Sequence, residues 1–302
     1  MGCGAWRAED WKKYSSARIK GRSVGEIYNA KKIDPKYDPK NITVRESCDS
    51  ADHPVTTPII IGLDVTGSMG DLLEVTAKRL GDMVRDILER DPVEGPQIMF
   101  NAVGDSICDR APLQVTQFES DIRIADQLTE LWFERGGGGN RFESYPLVWY
   151  FAANKTRTDA WEKRKKKGVI FTIGDDCYPD ELTADEILRV FGDRVSEDIN
   201  TEGLLAQVSR KYEVFHLMVM ERRSESVVNL PKWRKLMGER AIAVTDCSAI
   251  PQIIVSLLES VAGRDKEEII ASWNGDTQIA VRNALCGLTE RKNGIIGKLI
   301  RF

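Results

Sequence analysis

Histidine is almost missing from this chain of 302 residues: His53 and His216 are the only two. So small a supply argues against His-rich metal sites and against most Ser-His or Cys-His catalytic arrangements. Cysteine is scarce and scattered. Cys3, Cys48, Cys108, Cys177, Cys247 and Cys286 form no CxxC pair, so they read as free thiols of a reducing compartment rather than a disulfide framework. Long apolar runs are lacking too. The longest, such as Ile59-Ile60-Ile61-Gly62-Leu63, are far too short to span a bilayer. No apolar stretch follows Met1-Gly2-Cys3-Gly4, so a secretory signal is not expected, and Trp6 stands where a myristoylation motif needs Ser or Thr. The expectation is a cytoplasmic protein without a membrane segment.

Net charge is small. A formal −4 gives no overall pull toward nucleic acid or an anionic membrane. The basic run Lys163-Arg164-Lys165-Lys166-Lys167 reads as a solvated helix end, where the helix dipole favours cations. Hydrophobic residues make up 42%, enough for a sizeable core.

Three parts follow from the pattern. Residues 1–55 form a basic N-terminal extension with Trp6, Trp11, Tyr14, Tyr28 and Tyr37 interspersed. It is read as docking its aromatics on the main domain, the alternative being a free recruiting arm. Residues 56–262 alternate strands and helices. Ile59–Leu63, Gln97–Val103, Val169–Ile173, Val214–Met220 and Ala241–Val244 read as buried strands, and Leu113–Phe118 as a hairpin edge. Between them lie helical patterns at Leu72–Leu88, Ile122–Phe133, Pro146–Ala153 and Ser248–Val261. Such alternation predicts an α/β fold, with a mostly parallel sheet covered by helices on both faces. Residues 263–302 form a C-terminal extension with two weak amphipathic stretches, packing on the domain or mediating assembly.

Chemistry concentrates where three of these elements end. The first strand runs into Asp64-Val65-Thr66-Gly67-Ser68-Met69. A loop of four glycines, Gly136 to Gly139, leads into Asn140-Arg141-Phe142-Glu143-Ser144. A later strand ends in Asp175-Asp176. Carboxylates, hydroxyls and an amide are a hard-cation ligand set, of the kind Mg²⁺ accepts with water. In an open parallel sheet, ligands bind beyond the carboxyl ends of the strands. Helix capping by Asp64 and Ser68, or an ordinary glycine connection, accounts for one loop but not for all three.

These loops resemble the von Willebrand factor A domain family over roughly residues 56–262. The Asp-x-Ser-x-Ser loop of that family's metal-ion-dependent adhesion site is matched by Asp64, Thr66 and Ser68. The second loop departs from the pattern, with Asn140 where the family has Thr or Asp, so Asn140 and Ser144 both stand as candidates. The third loop matches at Asp175. The resemblance implies a Rossmann-like fold with strand order 3-2-1-4-5-6, which sets the strands of Asp64 and Asp175 side by side. It further implies a Mg²⁺ or Mn²⁺ held by Asp64, Thr66, Ser68, Asn140 or Ser144, and Asp175, with an open position for an Asp or Glu of a protein partner. Intracellular members of the family point to a partner such as an AAA+ ATPase. No general base, nucleophile or cofactor motif accompanies the site, so no catalysis is expected.

The enzymatic alternative is a haloacid-dehalogenase-like phosphatase with Asp64 as nucleophile and Gly104-Asp105-Ser106-Ile107-Cys108-Asp109 as its acidic motif. Thr66 stands where that group has a second Asp, and the acidic motif comes one strand too early. A dinucleotide site is a weaker reading still, because the glycine loop follows a helix rather than the first strand, so no glycine turn opens a helix toward a pyrophosphate.

Overall fold

Strand Thr57–Asp64 (β1) lies at the centre of a six-stranded sheet. The others are Pro96–Val103 (β2), Leu113–Val115 (β3), Gly168–Gly174 (β4), Tyr212–Val219 (β5) and Ala241–Val244 (β6). Their order across the sheet is β3-β2-β1-β4-β5-β6, all parallel except β3, which runs antiparallel to β2. Numbered from β1, this is the 3-2-1-4-5-6 order that the resemblance implies. The structure is a computed structural model, and it describes residues 7–67, 79, 82–134, 142–220 and 224–288. Ser68, Asn140, Trp6 and the turn at Asn293-Gly294 lie outside the described residues.

Successive residues of each strand face opposite ways, and here both faces are covered. Ile59, Ile61 and Leu63 of β1 join one apolar core, with Ile98 and Phe100 of β2 and Phe171 of β4. Ile60, Met99 and Ile170 join the other. This double burial is why the strands read as unbroken apolar runs rather than alternating ones.

Helices fill both sides. Those that carry the argument are Ala8–Arg18 (α1), Arg123–Glu130 (α2), Pro146–Asn154 (α3), Ala184–Phe191 (α4), Thr201–Val208 (α5), Ser224–Met237 (α6), Ile250–Val261 (α7), Lys266–Ala271 (α8) and Gly275–Leu285 (α9). Helix α3 is apolar all round, from Leu147 to Ala153, and every one of those residues is buried, as expected of a helix enclosed on all sides. Its partners are Thr201–Val208 on one side and the sheet on the other. Gly62 permits the close approach, because a Cβ there would meet Val148 Cγ2 at 3.0 Å.

The two extensions share the core of the domain. Ile27, Tyr28 and Tyr37 on one side and Ile269, Ile270, Val281 and Leu285 on the other belong to the same apolar cluster as β1. Tyr28 stacks on Phe133 with ring centroids 4.0 Å apart, and Tyr14 donates to the carbonyl of Ala125 in α2. The extension also adds a strand: Arg45–Ser47 pairs in parallel with Thr156–Thr158, just after α3.

Helices α4, α5 and α6 were not anticipated from the sequence. Helix α6 carries Pro231 inside it, a helix-breaking residue by local rules. Helix α4 has a capping box, Thr183 with Glu186, which is a legible start signal. The expected strand at Leu113–Phe118 ends early, at Val115. Beyond it the Thr116 hydroxyl accepts the amide of Phe100, and Glu119 bridges to Ile98.

Candidate metal centre

The parallel register brings Leu63 beside Ile173. Asp64, the last residue of β1, therefore stands next to Gly174, and Asp175 lies one residue further along. Asp64 is fully buried and Asp175 nearly so.

Three donors hold the Asp64 carboxylate. Oδ1 accepts the amide of Thr66 at 2.9 Å and its hydroxyl at 2.6 Å. Oδ2 accepts the hydroxyl of Tyr145 at 2.8 Å. Bonds of this kind favour the charged form, but burial and the neighbouring Asp175 act the other way. The second pair of effects wins, and the carboxyl is pushed up to about 7 from an ordinary 3.8. The Thr66 hydroxyl donates its hydrogen to Asp64, which fixes its oxygen beside the carboxylate.

Gly174 makes the arrangement possible. A Cβ at this position would lie 1.9 Å from the Tyr145 hydroxyl and 2.9 Å from Asp64 Oδ2. Tyr145 is itself fixed edge-on against His216, at 5.0 Å, and Trp233, at 5.5 Å. His216 stacks on Trp233 and shares a hydrogen bond with Thr172. Burial pushes the His216 imidazole well below 6.5, so it is a neutral core residue. Helix α6 is keyed to the third loop from the same side: Trp233 Nε1 donates to the Asp176 carbonyl and Asn229 Nδ2 to that of Asp175.

Ser144 is engaged elsewhere. Its hydroxyl accepts the amide of Ser106 at 2.9 Å and donates to the Ser106 hydroxyl at 3.0 Å. Ser106 in turn donates to Glu186 of α4, and Arg189 donates to the Ser106 carbonyl. This chain ties the second loop to the loop after β2. In that loop Asp105 accepts the amide of Ile107, and Asp109 accepts that of Asp105. Both carboxylates thus close their own turn.

Two neighbours of Asp64 escaped sequence reasoning. Tyr145 gives no periodic signal. Glu143 belongs to the run after the glycines, but nothing local marks it. It is only 5% exposed, and among the described residues its Oε2 has no hydrogen-bond partner. Burial, then the charges of Asp64, Asp105, Asp109 and Asp176, push its carboxyl up to about 10. Acidic groups are thus crowded at this end of the sheet.

Among the described residues, no three His, Cys, Asp or Glu side chains form a group that could hold a metal by themselves. The centre expected from the sequence does not need three. It needs Asp64 and Asp175 with hydroxyl and amide oxygens, and the structure brings Asp64, Thr66 and Asp175 to neighbouring strand ends. Two buried and mutually repelling carboxylates with a hydroxyl beside them are donors that suit a small hard cation.

The sequence matches no family model and no curated protein. Solved structures do resemble the fold. The pilus adhesin SpaC from Lactobacillus rhamnosus GG aligns with a TM-score of 0.50 at 8% identity, over 72% of this chain and 31% of the adhesin. Proximal thread matrix protein 1 from the mussel byssus aligns at 0.46 and 10% identity, over 72% of this chain and 49% of that protein. This chain therefore spans about a third of the adhesin and about half of the mussel protein. At these identities the likeness to the adhesin establishes the α/β fold alone.

Proposed function

We propose that this chain is a non-catalytic, metal-dependent protein-binding module that captures an acidic side chain of its partner. The observation that carries the reading is the pairing of Asp64 and Asp175 at adjacent strand ends, both buried. Two buried carboxylates with hydroxyls beside them call for a divalent cation. Asp64, Thr66 and Asp175 would hold Mg²⁺ or Mn²⁺, with Ser68 and one residue of the second loop completing the set. The engagement of Ser144 with Ser106 favours Asn140 for that last place. When bound, the ion supplies an electrophilic position to which a partner's Asp or Glu can bond, and it cancels the charge that would repel that carboxylate.

The remaining residues prepare the site. Thr66 and Tyr145 orient Asp64, and Asn229 and Trp233 hold the backbone of the third loop. Among the described residues no helix is long and apolar enough to cross a membrane. Cys48, Cys108, Cys177, Cys247 and Cys286 are free thiols, which supports a reducing, cytoplasmic setting. The resemblance to intracellular family members makes an AAA+ ATPase the first partner to test.

Calorimetry on the purified chain tests this reading. Mg²⁺ or Mn²⁺ should bind, and Asp64→Ala should abolish binding while the far-UV spectrum is unchanged. Unaltered binding in the variant would remove the assignment. Metal-dependent turnover of a phosphomonoester would favour the phosphatase alternative instead.

A further inference from the structure

One carboxylate at this end of the sheet has no task assigned to it. Glu143 is 5% exposed, and among the described residues its Oε2 has no hydrogen-bond partner. Leaving a buried carboxylate oxygen unpaired costs stability, and such an atom is one sign of a water or ion that completes it. The backbone shows where the residue is held. The amide of Glu143 donates to the Cys177 carbonyl in the third loop at 2.9 Å, and that of Ser144 donates to the Gly104 carbonyl in the loop after β2 at 3.2 Å. Those two loops leave the strands on either side of β1. Asp64 is in register with Val103, the residue before Gly104, and Leu63 with Ile173. Residues 143 and 144 therefore straddle the carboxyl end of β1. The next residue, Tyr145, reaches Asp64, while the Ser144 hydroxyl turns aside to Ser106. Of the charges that act on Glu143, the strongest is that of Asp64.

We infer that Glu143 is a third carboxylate of the metal centre, which serves the ion by accepting a hydrogen bond from one of its waters. The inference rests on the metal-dependent reading above and adds to it the residue that holds the ion's hydration shell. Two considerations make the role water-mediated. Among the described residues no three acids lie close enough to hold a metal by themselves. Mg²⁺ gives up its waters reluctantly, so it is commonly held by one or two carboxylates with waters in other positions. A carboxylate just beyond the ligands suits such a water: the water O–H donates to Oε2, and the negative charge behind it favours the cation. This role is separate from the amide oxygen that Asn140 would supply. Three carboxylates exceed the charge of a divalent ion by one. The excess serves retention of the ion, not capture of the partner's acid.

The test is Mg²⁺ calorimetry on the full chain, with melting curves in EDTA alongside. Glu143→Gln keeps the shape and removes the charge. It should weaken Mg²⁺ binding about tenfold or more, the usual effect of losing a carboxylate behind a metal ligand. The melting temperature in EDTA should not fall, because Oε2 has no partner to lose in the metal-free protein. Asp109→Asn is the control. Asp109 also acts on Glu143, but its carboxylate accepts the Asp105 amide and Asn keeps an acceptor there, so Mg²⁺ affinity should change far less. Unchanged affinity in Glu143→Gln overturns the inference and leaves the metal centre standing. A Glu143→Gln chain that melts lower in EDTA or does not fold overturns it too, by showing that Glu143 supports the fold. Equal losses of affinity in the two variants overturn it by assigning the effect to the general field of the acids. If the unaltered chain binds no Mg²⁺, or Asp64→Ala binds it equally well, the underlying reading falls instead.

Discussion

The hydroxyl of Tyr145 donates to Asp64 Oδ2 at 2.8 Å, joining the start of α3 to the end of β1 across 81 residues of sequence. It reaches Asp64 through the space that Gly174 leaves open. The bond stabilises the charged form of a carboxylate that burial and Asp175 both disfavour. It thereby holds Asp64 in one orientation in the metal-free protein.

Tyr145→Phe removes this donor with little change in volume. A hydrogen bond to a charged group contributes about 1.5–3 kcal/mol, so urea unfolding in EDTA should show a loss of that order. Gly174→Ala should cost more, because its Cβ cannot coexist with the hydroxyl. Combining the two should cost less than the sum, since Phe removes the nearest of the clashing atoms, leaving the ring carbon at 2.7 Å and Asp64 Oδ2 at 2.9 Å. Additive losses would mean that Gly174 and Tyr145 act independently.

Metal-free stability should fall as pH rises. The Asp64 carboxyl is raised from 3.8 to about 7 in the fold, so the folded state holds a proton that the unfolded state releases. The stabilisation is complete below about pH 4 and is lost as pH rises through 7. Glu143, raised to about 10, extends the decline into alkaline solution. Melting temperatures in EDTA between pH 5 and 8.5 should therefore descend, and Mg²⁺ should restore most of the loss above pH 7. A flat profile in EDTA would show that the two carboxylates do not repel each other as described.

Asn140→Ala and Ser144→Ala should differ in kind. Ser144 spends its hydroxyl on Ser106, so its loss should lower the melting temperature and change Mg²⁺ affinity little. Asn140→Ala should weaken Mg²⁺ binding with little effect on the metal-free melt. The opposite pattern in calorimetry would move the ligand to Ser144.

Deleting residues 1–44 should destabilise the domain. Trp11, Tyr28 and Tyr37 are buried, and the last two belong to the core that β1 shares. Burial of a large apolar side chain contributes about 1.5–3 kcal/mol by transfer, so a loss of several kcal/mol is expected in urea unfolding. Unchanged stability with lost partner binding would make the extension a recognition arm.

Local pattern alone carried much of the fold. Burial of β1, β2, β4 and β5 on both faces leaves continuous apolar runs, and helices such as α7 leave a 3.6-residue period, so both can be read in place. The ends of those runs marked Asp64 and Asp175, because a polar residue at the limit of a buried strand is a break in pattern. Strand order came from the resemblance and not from periodicity. Helix α6 stayed hidden because Pro231 opposes it locally, while the burial of Trp233 and Leu230 against the sheet stabilises it.

Only the tertiary structure decided how the loops are used. Ser144 turned to Ser106, Tyr145 reached Asp64, and Glu143 was drawn into a crowd of acids, each through contacts between segments far apart in sequence. Hydrogen bonds and charge repulsion depend on distance in space, which no spacing along the chain records.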